Sequence, residues 1–152
     1  MHFLSRTNRA ASNFGDFLKD FLLLILRLYW GWNFLIGGWT KFGNIEMVQD
    51  FFGSLNIPFP LFSAYLVAVV ELVGGICLIL GLFARLASIP LAITMIVALF
   101  TAHLSESSQI FENPQRFINQ LPFTYLLVSL IILCFGPGRF SIDHFMERSS
   151  LR

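Results

Sequence analysis

The chain has 152 residues, of which 56% are apolar and 12% are charged, and its formal net charge is +1. Soluble domains are about 45–50% apolar and about 25% charged, and a soluble fold of this length could not bury so much apolar surface. The composition therefore indicates a membrane protein, and the near-zero net charge argues against a nucleic-acid partner.

Four apolar segments have about the 20 residues that a helix needs to cross the hydrocarbon core of a bilayer. Pro90 and Pro122 fall in the first turns of the third and fourth segments, where a helix tolerates proline best. Arg85 alone separates the second and third segments, which predicts a tight antiparallel hairpin. We expect an all-α integral membrane four-helix bundle that forms a single membrane domain. Its spans are predicted at about residues 21–39, 61–84, 86–104 and 117–136.

The loop between the first two segments is too polar to cross a membrane. Ile45, Val48 and Phe52 recur at helical spacing, and polar residues lie off that face. This pattern predicts a short amphipathic helix over about residues 45–55. The helix either lies on the outer membrane surface or packs on the bundle as an ordinary loop helix, and the two alternatives are compatible.

Basic residues near the ends of the segments predict the orientation of the chain. Seven of them flank one side and two, Lys41 and Arg116, flank the other. Because cytoplasmic flanks carry the excess of lysine and arginine, we expect both termini in the cytoplasm. The tail over residues 139–152 is then cytoplasmic, and we expect loose order beyond His144. The seven are Arg6, Arg9, Lys19, Arg85, Arg139, Arg148 and Arg152.

Two ionisable residues, Arg27 and Glu71, lie inside apolar segments. Such residues are rare in membranes, usually face the bundle interior and are candidates for function. Each lies on a stripe of mostly small residues, which would let the two helices pack closely together. The stripes are Arg27, Gly31, Phe34 and Gly38 in the first segment, and Ala64, Ala68, Glu71 and Gly75 in the second.

The depth of these residues predicts which of them meet. At 1.5 Å per residue, Arg27 and Glu71 differ by about 7 Å in depth, within reach of an arginine side chain. We therefore expect Arg27 to be the partner of Glu71, with Lys41, about 15 Å away along the axis, a poorer candidate. The pair either fixes helix register alone or also contacts a ligand or proton. Asn33 and Tyr65 are further candidates for this buried polar centre, although either could only hydrogen-bond between helices.

A second group of polar residues is predicted at the outer ends of the spans. Lys41, His103 and Glu106 should lie at similar depth. They could line an outward-facing polar mouth, or they could be three solvated residues at loop ends.

Cys77 and Cys134 are the two cysteines of the chain. No C-x-x-C motif and no Cys/His cluster is present in the sequence, which argues against a thioredoxin-like motif and a structural zinc site. Both cysteines fall in the inner halves of their predicted helices and could meet, but a buried free cysteine usually acts as a small apolar side chain. We expect no metal site.

Three motifs together resemble the DoxX family of small bacterial membrane proteins. They are "LRLYWGWNFLIGGWTKF" over residues 26–42, "VELVGGICLILGLFARLA" over residues 70–87 and "GPGRFSIDH" over residues 136–144. The resemblance implies a four-helix fold in the bacterial cytoplasmic membrane. Members of the family are similar to a subunit of a thiosulfate:quinone oxidoreductase or are linked to thiol-redox complexes, whereas distant eukaryotic relatives resemble non-catalytic cargo receptors.

The resemblance leaves two functions open. The chain could be the membrane subunit of a quinone- or thiol-linked oxidoreductase system, with a quinone between its helices and a redox partner protein. It could instead be a non-catalytic bundle that binds a partner protein or lipid, and a transporter is a third and weaker alternative. No self-contained catalytic motif is present, so the sequence identifies no catalytic residue. A homo-oligomer is compatible with each alternative.

Overall fold

The computed structural model describes residues 2–102 and 114–150, with side chains described for residues 14–102 and 114–149. Its described part contains helices, turns and bends but no strand, which agrees with the all-α expectation. The helices are α1 (His2–Gly43), α2 (Ile45–Ser54), α3 (Pro60–Leu80), α4 (Ala84–Thr101), α5 (Pro114–Ile118), α6 (Leu121–Phe135) and α7 (Ile142–Ser150).

Three of these helices are long and apolar enough to cross a membrane. The candidate spans are Phe14–Gly43, Pro60–Leu80 and Ala84–Thr101, and α6 is apolar but has only 15 residues. The fourth span was predicted at about residues 117–136, and the apolar helix in this region begins at Leu121. Gln120 is extended, with φ −70° and ψ 129°, and separates α5 from α6. Pro122 is the second residue of α6, where a backbone N–H would have no partner within the helix, so the proline is compatible with a helix start at this point.

The turn between α3 and α4 is short and closed by hydrogen bonds. Gly81 has φ +66°, a left-handed conformation that glycine adopts without the steric cost of a Cβ. The backbone N–H of Leu82 donates to the carbonyl of Cys77, and that of Gly81 donates to the carbonyl of Leu78. This pattern is a Schellman motif, which satisfies carbonyls at the end of α3 and reverses the chain.

Helices α1 and α3 pack closely along the two small-residue stripes. A Cβ at Gly38 would lie 2.5 Å from the backbone nitrogen of Leu72, and a Cβ at Gly75 would lie 2.6 Å from that of Leu35. Both distances are shorter than real Cβ contacts, so the two backbones meet only because these positions are glycine. The predicted packing of the stripes against each other is confirmed.

The apolar core is small and the outer faces of the helices are apolar. Phe34, Leu78 and Leu91 belong to a buried cluster that α1, α3, α4 and α6 share. Large side chains such as Trp39, which is 70% exposed, point away from this core. A fold that exposes so many apolar side chains suits a hydrocarbon solvent, in which such contacts carry no penalty.

Two peripheral helices complete the described chain. No residue of α2 is buried, but Val48 and Phe52 are half-buried where α2 packs on α3, and Asp50 is exposed. Whether α2 also lies on the membrane surface stays a prediction. Helix α7 continues beyond His144 to Ser150, and the expectation of loose order in this tail stays a prediction. The hydroxyl of Ser141 accepts a hydrogen bond from the backbone N–H of His144, which caps the first turn of α7.

Candidate functional site

Arg27 does not pair with Glu71, contrary to the prediction from sequence. The guanidinium is buried, with 1% of the residue exposed, and donates only to backbone carbonyls. Its Nε lies 2.9 Å from the carbonyl oxygen of Leu78, and Nη2 lies 3.3 Å from that of Ile79, both in the last turn of α3. Nη1 donates to Pro137 at 2.5 Å and to Phe140 at 3.1 Å. Arg27 therefore joins the end of α3 to the connection between α6 and α7.

The "GPGRFSID" motif forms the other side of this junction. The carboxylate of Asp143 accepts hydrogen bonds from the backbone N–H groups of Phe83, at 2.8 Å, and Ala84, at 3.1 Å, and so caps the start of α4. The buried carboxylate of Asp20 lies 3.3 Å from the Nε of Arg139. The motif thus ties α1, α3 and α4 together at one end of the molecule, which is a structural role.

The partner of Glu71 is Lys41. Lys41 Nζ lies 2.5 Å from Oε2 of Glu71, whose side chain is only 6% exposed, while the lysine side chain is 30% exposed. Gly37, one turn before Lys41, makes room for the pair. A Cβ at Gly37 would lie 3.2 Å from Glu71 Oε2 and 3.7 Å from Lys41 Nζ. Lys41 therefore belongs to the buried centre and is not only a residue of an outer polar mouth.

The antiparallel register of α1 and α3 explains why Glu71 pairs with Lys41 and not with Arg27. Gly31 lies beside Gly75, and Gly38 lies beside Ala68 and Leu72, so residue numbers fall along α3 as they rise along α1. Arg27 precedes Gly31 and therefore meets the last turn of α3, past Gly75. Glu71 precedes Gly75 and lies level with Gly37. Lys41 reaches that level because helical side chains point back toward the N-terminus of their helix.

Two cavities meet at the Lys41–Glu71 pair. The larger has a volume of about 490 Å³ and lies among α2, α3 and α4. The smaller has a volume of about 170 Å³ and lies between α1 and α6. Both are lined by Lys41 and Glu71, so the ion pair forms a shared wall between them. Apart from this pair the walls of the larger cavity are mainly apolar, and include Phe51, Phe52, Leu55, Val67, Ile93 and Ala98.

Tyr125 of α6 is a residue of this site that the sequence reasoning missed. Its ring packs edge-to-face on Trp30, at 4.9 Å between centroids, and on Phe34, at 4.7 Å. The residue also lines the smaller cavity beside Glu71. Its position as a lone tyrosine one turn into an apolar helix, three residues after Pro122, was the available signal.

The remaining predicted members of the polar centre divide between two environments. Asn33 lines the smaller cavity, and its amide donates to the carbonyl of Tyr29 on the same helix at 2.7 Å. Tyr65 is 44% exposed, packs against Phe42 at 6.2 Å between centroids and lines neither cavity at the ion pair. The other two residues of the predicted outer mouth, His103 and Glu106, lie outside the described residues.

The cysteines and the acidic side chains show no metal centre in the described part of the chain. Cys77 is half-buried and Cys134 is exposed, and both are free thiols. Across residues 14–102 and 114–149, no group of three histidine, cysteine, aspartate or glutamate side chains is placed to hold a metal ion. The candidate site itself is an ion pair between Lys41 and Glu71 beside an apolar cavity.

These features define a small multi-pass helical membrane protein in which a buried glutamate pairs with a partly exposed lysine at an apolar cavity. The DoxX family model matches residues 22–104, and the chain belongs to the DoxX family. The match confirms the resemblance to this family, and it covers the first two of the three motifs. The chain is a protein of the bacterial cytoplasmic membrane, as its spans, its family and the names of its relatives indicate.

Several curated proteins are similar to this chain over most of their length. A Bacillus subtilis protein named "Putative oxidoreductase CatD" is 32% identical over 81% of this chain and 85% of its own. An uncharacterized membrane protein of Mycobacterium tuberculosis is 30% identical over 83% and 82%. The Escherichia coli inner membrane protein YphA is 27% identical over 82% and 90%. No solved structure matches the chain.

Proposed function

We propose that this protein is the membrane subunit of an oxidoreductase system and binds a quinone-like ligand in the 490 Å³ cavity, with a ligand carbonyl at Lys41. The observation that carries the proposal is the buried Lys41–Glu71 pair in the wall of an apolar cavity. The name of the Bacillus subtilis relative points to the same class of function. A redox partner protein supplies the electrons.

The cavity has the size and composition that such a ligand needs. Small-molecule sites typically have volumes of about 300–1,000 Å³, mainly apolar walls and a few convergent polar groups. Leu66, Ile93 and Val97 line this cavity and are also exposed on the outer face of the helices, so the cavity opens toward the bilayer. A ligand with an apolar tail could therefore enter from the hydrocarbon region.

The ion pair supplies the polar contact. A lysine ammonium has three N–H donors, and one of them is directed to Glu71. The other two are available to a carbonyl or oxyanion of the ligand. Glu71 keeps the ammonium in place, since an unpaired charge in hydrocarbon is costly. Reduction of a quinone to a quinol takes two electrons from the partner and two protons, and the smaller cavity, which is large enough for water, gives a route for protons to the pair.

The test is a measurement of bound quinone. We expect a lipid extract of the purified protein to contain quinone, recognised by its ultraviolet spectrum, and Lys41→Met to lower its amount by about tenfold. Lys19→Met is the matched control, because Lys19 lies on the same helix, outside both cavities. Equal quinone content in all three proteins would contradict a site at Lys41.

A non-catalytic bundle that binds a partner protein or lipid is the second candidate. The outward face of α1 favours it, because Tyr29, Trp32 and Trp39 are 61%, 57% and 70% exposed along one helix. Such an aromatic face suits either a partner helix or the membrane interface. Absence of quinone from the extract, together with a co-purifying membrane protein, would favour this candidate.

We further propose that α6 is the fourth spanning helix of a bundle and that both termini lie in the cytoplasm. Fifteen residues rise about 22 Å, less than the hydrocarbon thickness of about 30 Å. The flanking helix α5 and the polar connection at residues 136–141 would lie at the two membrane surfaces. The seven-to-two distribution of basic residues supports the orientation.

A further inference from the structure

A third cavity, of about 680 Å³, lies at the end of the molecule that the "GPGRFSID" junction forms. It is bounded by the first half of α1, the start of α4, the connection after α6, and α7. In contrast to the cavity at Lys41, it contains charged side chains of both signs. It shares no lining residue with the other two cavities and is therefore a separate site.

Most charges of this third cavity are already engaged. Asp16 lies 3.5 Å from Lys19, and Asp20 lies 3.3 Å from Arg139. Both carboxylate oxygens of Asp143 accept backbone hydrogen bonds at the start of α4. The two ion pairs engage four of the seven charged side chains of the lining, and the backbone hydrogen bonds fix the carboxylate of Asp143 at the start of α4.

Besides Asp143, the remaining charged side chains of the lining are one cation and one anion, and both are exposed. Arg85 and Glu147 line the cavity, and neither makes an ion pair or a side-chain hydrogen bond in the described part of the chain. The guanidinium of Arg85 lies over Gly136, where a Cβ would be 2.9 Å from Nε, so the glycine makes room for it. The Nε2 atom of His144, also in the cavity wall, is buried and has no partner among the described residues.

The rim of the cavity is apolar on one side. Phe83, Leu86 and Phe135 line it, and they are 60%, 66% and 64% exposed. A cavity with charges of both signs and apolar side chains on its rim, at the end of a membrane span, matches the boundary between headgroups and acyl chains. Its lining has four acidic and three basic side chains, which suits a headgroup that carries both charges.

We propose that this cavity binds the headgroup of a phospholipid with a primary amine, of the phosphatidylethanolamine class. The phosphodiester contacts Arg85, which offers planar, charged N–H donors suited to phosphate oxygens. The ammonium contacts Glu147, and the acyl chains lie against Phe83, Leu86 and Phe135. A lipid with a purely anionic headgroup fits less well, because Glu147 would repel a second negative charge.

The experiment is native mass spectrometry of the full-length protein in detergent with added lipid. Wild type should retain phosphatidylethanolamine in preference to phosphatidylglycerol. Arg85→Gln should lower retention of both lipids by about tenfold, whereas Glu147→Gln should remove the preference but keep binding. Arg148→Gln is the matched control, since Arg148 is an exposed neighbour on α7 that does not line the cavity.

Three results would overturn the proposal. One is equal lipid retention by Arg85→Gln and Arg148→Gln, and another is a wild-type preference for phosphatidylglycerol. The third is a thermal stabilisation by inorganic phosphate as large as that by lipid, which would indicate a site for free anions. Because Arg85 and Glu147 make no contacts that the fold needs, both variants should melt like wild type without lipid, and either variant alone can refute the proposal.

Discussion

Lys41 and Glu71 are joined across the α1–α3 interface by an ion pair of 2.5 Å that sits between two cavities. Arg27, which is also buried, instead holds four backbone carbonyls and has no contact with Glu71. Arg27 and Glu71 therefore have separate roles. Arg27 maintains the fold at one end, and Glu71 with Lys41 forms a site at the cavities.

The Lys41–Glu71 pair should be energetically asymmetric. Lys41→Met leaves a short, buried carboxylate without a partner and should cost about 3–5 kcal/mol of unfolding free energy. Glu71→Gln should cost only about 1–2 kcal/mol, because the long, partly exposed lysine side chain can move its charge toward water. Lys41→Met with Glu71→Leu should recover much of the loss. Thermal melts of detergent-purified variants measure these costs, and simple additivity across the pair would contradict the contact.

Arg27→Met should strongly lower the free energy of unfolding, and the size of this loss should not depend on the residue at position 71. The substitution leaves carbonyls of Leu78 and Ile79 and of the connection after α6 without a donor, a loss of about 3 kcal/mol or more. Arg27→Lys should rescue little, because an ammonium lacks the planar fork that reaches two segments. A double-mutant cycle with Glu71→Leu should give a coupling below about 0.5 kcal/mol. A large coupling would restore the partnership expected from sequence.

Alanine substitutions at three glycines of α1 should change the stability of the protein by very different amounts. Gly38→Ala brings a Cβ to 2.5 Å from the backbone of Leu72 and should cost about 1–3 kcal/mol. Gly37→Ala should cost less but should disturb the ion pair, because its Cβ would lie 3.2 Å from Glu71 Oε2. Gly43→Ala is the control, with nothing within 4 Å of its Cβ. Melting temperatures and bound quinone measure the two effects, and a Gly38→Ala protein as stable as Gly43→Ala would refute the close packing.

Cysteine labelling tests the orientation. In a background with Cys77 and Cys134 replaced by serine, a cysteine at Ser54, at the end of α2, should react with an impermeant thiol reagent in intact cells. A cysteine at Ser149 of α7 should react only after the cells are opened. Both positions are exposed, so reagent access depends on the side of the membrane alone. Labelling of position 149 in intact cells would reverse the orientation.

Three features of this protein could be predicted from the sequence because they depend on local pattern or composition. The excess of apolar residues determined the membrane class, since a chain of this size has no other way to accommodate them. The stripes that include Gly38 and Gly75 determined that α1 and α3 pack together, because only small residues allow such close approach. The motifs over residues 26–42 and 70–87, which lie in the region that the family model matches, identified the family.

The partners of the buried charges, in contrast, were decided only by the tertiary structure. Depth counted from the apparent ends of the apolar runs placed Arg27 opposite Glu71, but the glycine contacts between α1 and α3 set a different register. An offset of one or two turns changes which side chains meet, and a lysine or arginine side chain spans a further turn along its helix. Arg27 therefore reaches the end of α3 while Lys41 reaches back to Glu71, because close backbone contacts between the helices, and not the hydropathy of each segment, fix their relative depth.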